Sequence, residues 1–472
     1  MKGAARADLC VIGAGSGGLS VAAGAAQMGA SVVLIEAGEM GGDCLNHGCV
    51  PSKALIAAAA HAQALREGAA FGIGAVEPKV DFGAVAAHVA GVIAGIAPHD
   101  SQARFEGLGV RVIRARAAFV APRVVRAGEA EITARRFVIA TGSRPAVPPV
   151  PGLAAAGFLT NETVFGLRER PEHLLVLGGG AVGIELAQAY RRLGARVSVI
   201  EADRALGRED PELAGVVLDR LRAEGVSIHE GVAVARVARR AGGIALDLAD
   251  GRQVAGSHLL VAAGRAPNVE GLGLAEAGVR AGPRGIEVDG GLRTSNRRVF
   301  AIGDVAGQGQ FTHLAGAQAG LVLRAALFGL PVRAAGLVVP RVLYTGPELA
   351  QVGLTEAEAR ALHAGRIEVI REPFAANDRA RAEARTEGLV KLVLHRGRVV
   401  GAGITGPEAG ELIGLWTLAI GARLKLSRIA GMVMPYPTLS EISKRAAGAH
   451  FTPKIFGNRR VARLVRLVQR LP

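Results

Sequence analysis

The chain has 472 residues, half of them hydrophobic, with 66 glycines and only 4% aromatics, which excludes a disordered chain. Three cysteines in this length exclude a secreted disulfide scaffold and fit a reducing compartment, where any disulfide is catalytic and transient. The net charge of +15 is mostly arginine, only seven of 56 basic residues being lysine; without zinc-finger spacing or an aromatic–basic signature, no nucleic-acid partner is expected.

At ~150 residues per domain, the length allows about three domains. Residues 9–35 carry no charge, and hydropathy alone would make them a signal peptide or a membrane span. Six glycines interrupt the stretch, and it reads better as strand, turn, helix, strand. A buried βαβ unit is expected to be this apolar. No other candidate span or signal is found, so the expected location is cytoplasmic.

In that first unit, strand 9–12 leads into Gly13-Ala14-Gly15-Ser16-Gly17-Gly18, an Ala-rich helix and strand 31–35, ending at Glu36. A second unit repeats the plan: strand 174–177, the turn Gly178-Gly179-Gly180-Ala181-Val182-Gly183, a helix, and strand 196–200 ending at Glu201. Glycine and acid are 23 residues apart in both copies (13 to 36, 178 to 201). Gly13 and Gly178 permit the tight turn, Gly15 and Gly180 let backbone approach a pyrophosphate, and Gly18 and Gly183 let helix and strand pack closely. The pyrophosphate sits at the helix N-terminus, and the acid accepts hydrogen bonds from a ribose diol. One such motif is weak evidence; two with the same spacing point to two dinucleotide sites. Residues 137–145, with Thr141-Gly142, resemble residues 259–267, with Ala263-Gly264, as closing segments of the two units. Residues 148–152 then form a Pro/Gly connector.

Just past the first unit lies Gly41-Gly42-Asp43-Cys44-Leu45-Asn46-His47-Gly48-Cys49-Val50-Pro51-Ser52-Lys53. Pro51 before an apolar run marks the first turn of a helix, which puts Cys49 near a helix N-terminus that favours a thiolate. The four-residue loop with Gly48 is short enough to bring both sulfurs within bonding reach. Two cysteines at this spacing are often structural; directly after a dinucleotide motif they read as a redox pair. Cys10, inside a core strand, reads as a small buried hydrophobe. His47 is either a tuner of the pair or a solvated loop residue, and His313 reads as a packing residue rather than a ligand.

This segment resembles that of the pyridine nucleotide–disulfide oxidoreductases, the family of dihydrolipoamide dehydrogenase, glutathione reductase and mercuric reductase. The resemblance extends over essentially the whole chain. Residues 298–304 are similar to the family's second FAD motif, ending at Asp304, and residues 343–360 to the start of its dimer-interface domain. It implies an α/β fold with two Rossmann-like dinucleotide-binding domains, for FAD and NAD, plus a C-terminal α+β dimerisation domain. The expected boundaries are an FAD domain over 1–150 and 271–337, an NAD(P) domain over 151–270, and a dimer-interface domain over 338–472. By the same resemblance, Glu36 contacts the FAD ribose, Asp304 its ribityl chain, and Glu201 the ribose of the nicotinamide nucleotide. A carboxylate at 201 repels a 2′-phosphate, which favours NADH, while Arg204 leaves NADPH open. Cys49 is implied as the thiol against the flavin, Cys44 as the outer interchange thiol, and Lys53 as the partner of Glu185. Hydride would pass from NAD(P)H to the flavin, then to the Cys44–Cys49 disulfide, then to an acceptor at Cys44.

The family pattern breaks near the C-terminus. Disulfide-reducing members present a His and a Glu to the partner's site there; Tyr436 stands at the His position and Glu441 at the acid position. A tyrosine, with an ordinary pKa near ~10, is a poor base at neutral pH. Mercuric reductases are similar at this tyrosine, but their C-terminal cysteine pair and N-terminal metal-binding domain have no counterpart here. Thr438-x-x-Glu441 also has the spacing of a capping box, a purely structural role for the acid. In residues 457–472, Val461, Leu464, Val465, Val468 and Leu471 recur at helical spacing among Arg459, Arg460, Arg463, Arg466 and Arg470. That segment is either a helix docked on the dimer or a basic helix for an anionic membrane surface or membrane partner.

The expectation is a homodimeric NADH-dependent flavoenzyme that reduces a disulfide or thiol-reactive acceptor, small molecule or metal ion. A mercuric-reductase-like metal reductase and a dihydrolipoamide-dehydrogenase-like enzyme compete within it. A separate alternative is an electron-donor subunit for a membrane or protein partner, peripheral at the inner face of the membrane.

Overall fold

The computed structural model describes residues 4–363, 365 and 367–470. Its N-terminal sheet is built around Ala4–Ile12, whose residues Leu9, Cys10, Val11 and Ile12 are buried. This strand is flanked in parallel by Val32–Glu36 and Ala130–Ile139, with Arg111–Arg114 beyond the former and Val299–Ala301 beside the latter. The uncharged stretch 9–35 is thus strand, helix (Ser16–Gln27) and strand inside one domain. Burial on both faces explains its unbroken hydropathy.

A second parallel sheet has the order Ser227–His229, Arg196–Ile200, His173–Leu177, His258–Val261. The two units agree in backbone detail. Gly13 and Gly178 have φ of 103° and 113°. A Cβ at Gly13 would strike the Ala140 carbonyl, and one at Gly178 the Ala262 carbonyl; at Gly18 and Gly183 it would strike the carbonyls of Gly13 and Gly178. These glycines cannot be replaced without moving the turn. The two closing segments meet: Ser143–Pro145 pairs antiparallel with Arg265–Pro267 and ties one nucleotide unit to the other.

The C-terminal region is a five-stranded antiparallel sheet, Arg341–Leu343, Glu348–Gly353, Arg398–Gly406, Leu389–His395, Ile367–Pro373, with helix Ala409–Gly421 on it and Trp416 in the core. Lys391 crosses from this sheet into the second nucleotide unit, meeting Asp210 at 2.9 Å and Glu212 at 2.8 Å.

Two local expectations are corrected. Among the described residues, the helical run Phe82–Gly107 is long and apolar enough to cross a membrane, although the sequence reading found no second candidate. It is broken by the 3-10 turn Ala97–Asp100 around Pro98, and Phe82, Ala86 and Val89 are buried beside helix Cys49–Arg66. The capping box at 438–441 does not form. Ser440 takes the N-cap position without a side-chain bond, because the Thr438 hydroxyl is engaged by Ser440 and the Pro435 carbonyl.

Candidate functional site

One cleft of ≈1740 Å³ runs from the first glycine loop to the cysteine pair. Gly13, Gly15 and Glu36 line one end, Thr141, Gly142 and Asp304 the middle, and Cys44, Cys49, Lys53 and Glu185 the other end. Gly15 faces open space, where an added Cβ would meet only Gly42 Cα at 4.0 Å. Glu36 accepts hydrogen bonds from the N–H groups of Ala14 and Gly38, both at 2.6 Å. Glu201 does the same in the second unit, from Gly179 at 2.7 Å and Asp203 at 3.0 Å. An ionised carboxylate has about four acceptor sites, so each keeps capacity for a ligand. Gly178, Gly180, Gly183, Glu201 and Gly264 lie outside this cleft, on the second unit's own face.

The cysteines sit on two helices rather than a plain loop. Cys44 lies in the short helix Gly42–Asn46, and Cys49 opens Cys49–Arg66, with Pro51 in its first turn. Gly42 is pressed against Gly15, where a Cβ would come within 2.7 Å of Gly15 Cα, so the redox segment is seated directly on the first glycine loop. Both cysteines are free thiols, Cys44 half-buried and Cys49 exposed to the cleft. Their electrostatics differ. The Cys49 thiol is lowered to about 6, first by the hydrogen bond from Cys44 and then by Thr312 and the Lys53 ammonium, against burial and the Asp43 carboxylate. The Cys44 thiol is pushed up by that same bond and by burial. The pair shares one easily lost proton, and the negative charge rests on Cys49 at the helix N-terminus.

Lys53 is fixed by Glu185 at 2.8 Å, as expected, and its ammonium lies 4.3 Å over the ring of Tyr344. Glu185 is buried and also accepts from the Tyr344 N–H at 2.9 Å, so three separate segments meet beside Cys49. Asp304 accepts from the Ser143 hydroxyl at 2.5 Å, and burial holds its carboxyl above the ordinary range.

Sequence reasoning missed four residues. Arg265 donates to the Ser143 hydroxyl at 2.7 Å and lies 3.1 Å from Asp43, next to Cys44. Asn161 donates to Asp43 and to the His47 carbonyl. Thr312, first in helix Thr312–Phe328, has its hydroxyl 3.4 Å from Cys49 Sγ. Tyr344 is the fourth. All are brought in by tertiary pairing, and only the Gly264-Arg265 turn carried a signal, through its repeat with residues 141–145.

Tyr436 and Glu441 do not line the cleft within this chain. Tyr436 is 68% exposed, and its hydroxyl donates to Asp378 at 3.0 Å, a bond that raises the phenol above its ordinary value. Asn377 holds the same segment through the Thr438 carbonyl. His47 lines the cleft but is not among the groups acting on Cys49. His313 stacks on Phe311 and bonds the Pro340 carbonyl, and Cys10 is fully buried.

Comparison with known proteins agrees with this geometry. Residues 7–319 match the pyridine nucleotide-disulphide oxidoreductase family, and residues 339–447 match its dimerisation domain. A mercuric reductase of Streptomyces lividans is 38% identical, over 93% of this chain and 95% of its own length. A dihydrolipoyl dehydrogenase of Thermus scotoductus is also 38% identical, over 94% of this chain and 97% of its own. The HOCl-induced flavoprotein disulfide reductase RclA of Escherichia coli superposes with a TM-score of 0.85 at 28% identity, covering 93% of this chain and 99% of its own.

Proposed function

The chain belongs to the pyridine nucleotide-disulphide oxidoreductase family, and from that premise we propose that its Cys44–Cys49 pair carries electrons from NADH to a disulfide or thiol-reactive acceptor. The family's members contain FAD and use a pyridine nucleotide. The cleft fits FAD: open space at Gly15, a carboxylate with spare acceptor capacity at Glu36 for a ribose, a half-buried carboxyl at Asp304 and a fixed ammonium at Lys53. Gly13, Gly18, Thr141 and Gly142 complete that set, while Gly178, Gly180, Gly183, Glu201 and Gly264 would hold the nicotinamide nucleotide. Bound there, FAD supplies the two-electron relay between nicotinamide and disulfide.

The residues then divide the work. Cys49 stays thiolate, held by the helix N-terminus, Thr312 and Lys53. Cys44 holds the proton and must release it to attack an acceptor. Oxidation of the pair to the disulfide returns two electrons and the Cys44 proton to that acceptor, and any second proton comes from solvent. Asp43 and His47 are the bases nearest Cys44 among the described residues of this chain, and a second copy in a cytoplasmic homodimer would add Tyr436 and Glu441. The acid at Glu201 favours NADH, with exposed Arg204 the group that would admit NADPH.

The observation that carries this reading is the placement of the pair: Cys49 opens helix Cys49–Arg66 beside Thr312 and the Lys53–Glu185 ion pair, and both cysteines line the cleft that the first glycine loop also lines. Mercuric reductase and dihydrolipoyl dehydrogenase are equally similar to the chain, so substrate follows from Tyr436. A tyrosine is a weak proton acceptor for thiol chemistry, which disfavours a disulfide and favours a metal ion; the solved structures similar to this chain include a Cu(II) complex of RclA. NADH consumption by the FAD-loaded protein, with lipoamide and Hg(II) side by side, tests this. Turnover with Hg(II) and little with lipoamide is expected; fast lipoamide turnover would overturn the metal reading and support a dihydrolipoamide dehydrogenase.

A second reading rests on the exposed arginine-rich tail: a peripheral electron donor at the inner face of the membrane. NADH oxidation that rises on adding bacterial membranes supports it.

A further inference from the structure

The tail forms two short helices, Thr452–Phe456 and Arg459–Val468, and no residue of either is buried. It lies beyond the matched dimerisation domain, which ends at residue 447. Asn458 caps the second helix by accepting from the Arg460 N–H at 2.9 Å. The second helix is thus locally specified, yet no described residue buries any part of it.

Its two faces are segregated. At about 100° per residue, Val461, Leu464, Val465 and Val468 share one stripe, and Arg459, Arg463, Arg466 and Arg470 lie opposite. Phe456 is 84% exposed just before it, and Leu464, Val465, Leu467 and Val468 are each at least half exposed. None of the five tail arginines forms an ion pair with a described residue, in a chain whose other arginines are widely paired.

We propose that residues 452–470 form an anionic-lipid-binding segment whose second helix lies in the headgroup layer of a bilayer. This rests on the peripheral reading above and names its partner. The alternatives fit less well. A nucleic acid would satisfy the arginines but leave the valine–leucine stripe in water. A second copy's tail, laid against this one, would set five arginines against five. An anionic bilayer satisfies both faces at once: the stripe enters the acyl boundary, and guanidinium groups pair with lipid phosphates. Phe456 would sit at the leading edge of the insertion.

Flotation of the full-length, FAD-loaded protein with vesicles tests this, using phosphatidylcholine alone and phosphatidylcholine mixed with phosphatidylglycerol. Binding to the mixed vesicles only is expected. Arg463→Glu with Arg466→Glu should weaken it by roughly 100-fold, as should deletion of residues 457–472. NADH oxidation with a small acceptor should be unchanged in these variants, which shows that they fold. Phe456→Ser with Leu464→Ser should weaken binding even at low salt. Three results would overturn the proposal: no binding by the intact protein, binding unaffected by the deletion, or binding to native membranes but not to protein-free vesicles. The last would leave the electron-donor reading standing with a membrane protein as its partner. Lipid binding without membrane-stimulated NADH oxidation would keep the proposal and remove that reading.

Discussion

Two lysines in this chain do opposite work with the same chemistry. Lys391 is buried among Asp210, Glu212 and Glu356, at 2.8–2.9 Å, sealed between the second nucleotide unit and the C-terminal sheet. Lys53 has a single carboxylate, Glu185, and keeps 35% of its side chain exposed toward the main cleft. Where several carboxylates consume the ammonium's charge, it is a rivet. Where one carboxylate only orients it, the remaining field falls on Cys49. Exposure and partner number separate a structural cation from a functional one; residue type does not.

The largest effect expected is on stability. Lys391→Met should cost roughly 3–5 kcal/mol in urea unfolding, because carboxylates are left buried without their cation. It should leave the Cys49 titration of the folded protein unchanged. A loss under 1 kcal/mol would break the contrast.

Lys53→Met should do the reverse: a smaller loss, roughly 1–3 kcal/mol, because buried Glu185 loses its cation but keeps the Tyr344 N–H, and a marked change at the site. In the wild-type dithiol form, alkylation of Cys49 should rise with pH through about 6 and then level off, since only the thiolate reacts. Without Lys53 that inflection should move up, and NADH-driven turnover should fall with it. Arg265→Gln should also move it up, since Asp43, no longer neutralised, repels the Cys49 charge. An unmoved inflection in both variants would show that these cations do not set the thiolate.

Acid should find the rivet. The Lys391 ammonium holds the Glu356 carboxyl down to about 2. Its folded value lies below the ordinary ~4.3, so its contribution is full above that pH and is lost as pH falls toward about 2. Urea midpoints should therefore drop between pH 4 and 2 in wild type and less in Lys391→Met. The smallest effect concerns Tyr344. Tyr344→Leu removes a cation–π contact of about 0.5–1 kcal/mol and should raise the Cys49 inflection slightly; Tyr344→Phe should not.

Much of this was legible in the sequence where chemistry is local. The glycine loops and the helix that opens at Cys49 follow from residues within a few positions of one another, whereas the carbonyls that close on Gly13 and Gly178, those of Ala140 and Ala262, come from distant strands. The Lys53–Glu185 pair, 132 positions apart, came only through family resemblance. Arg265, Asn161, Thr312 and Tyr344 reach the redox segment through strand pairing and helix packing, and no periodicity marks such arrivals. The capping box at 438–441 had the right letters, but a neighbouring serine took the threonine's hydrogen bond. Tyr436 was legible as a departure from the pattern, while its hold on Asp378 was not.

The most direct measurement is an anaerobic addition of NADH to the oxidised, FAD-loaded protein, with thiols labelled and mapped before and after. The Cys44 and Cys49 thiols should appear together as NADH is consumed, with Cys49 reacting at the lower pH. If the flavin is reduced while neither thiol appears, the pair is not on the electron path and the proposed function is wrong.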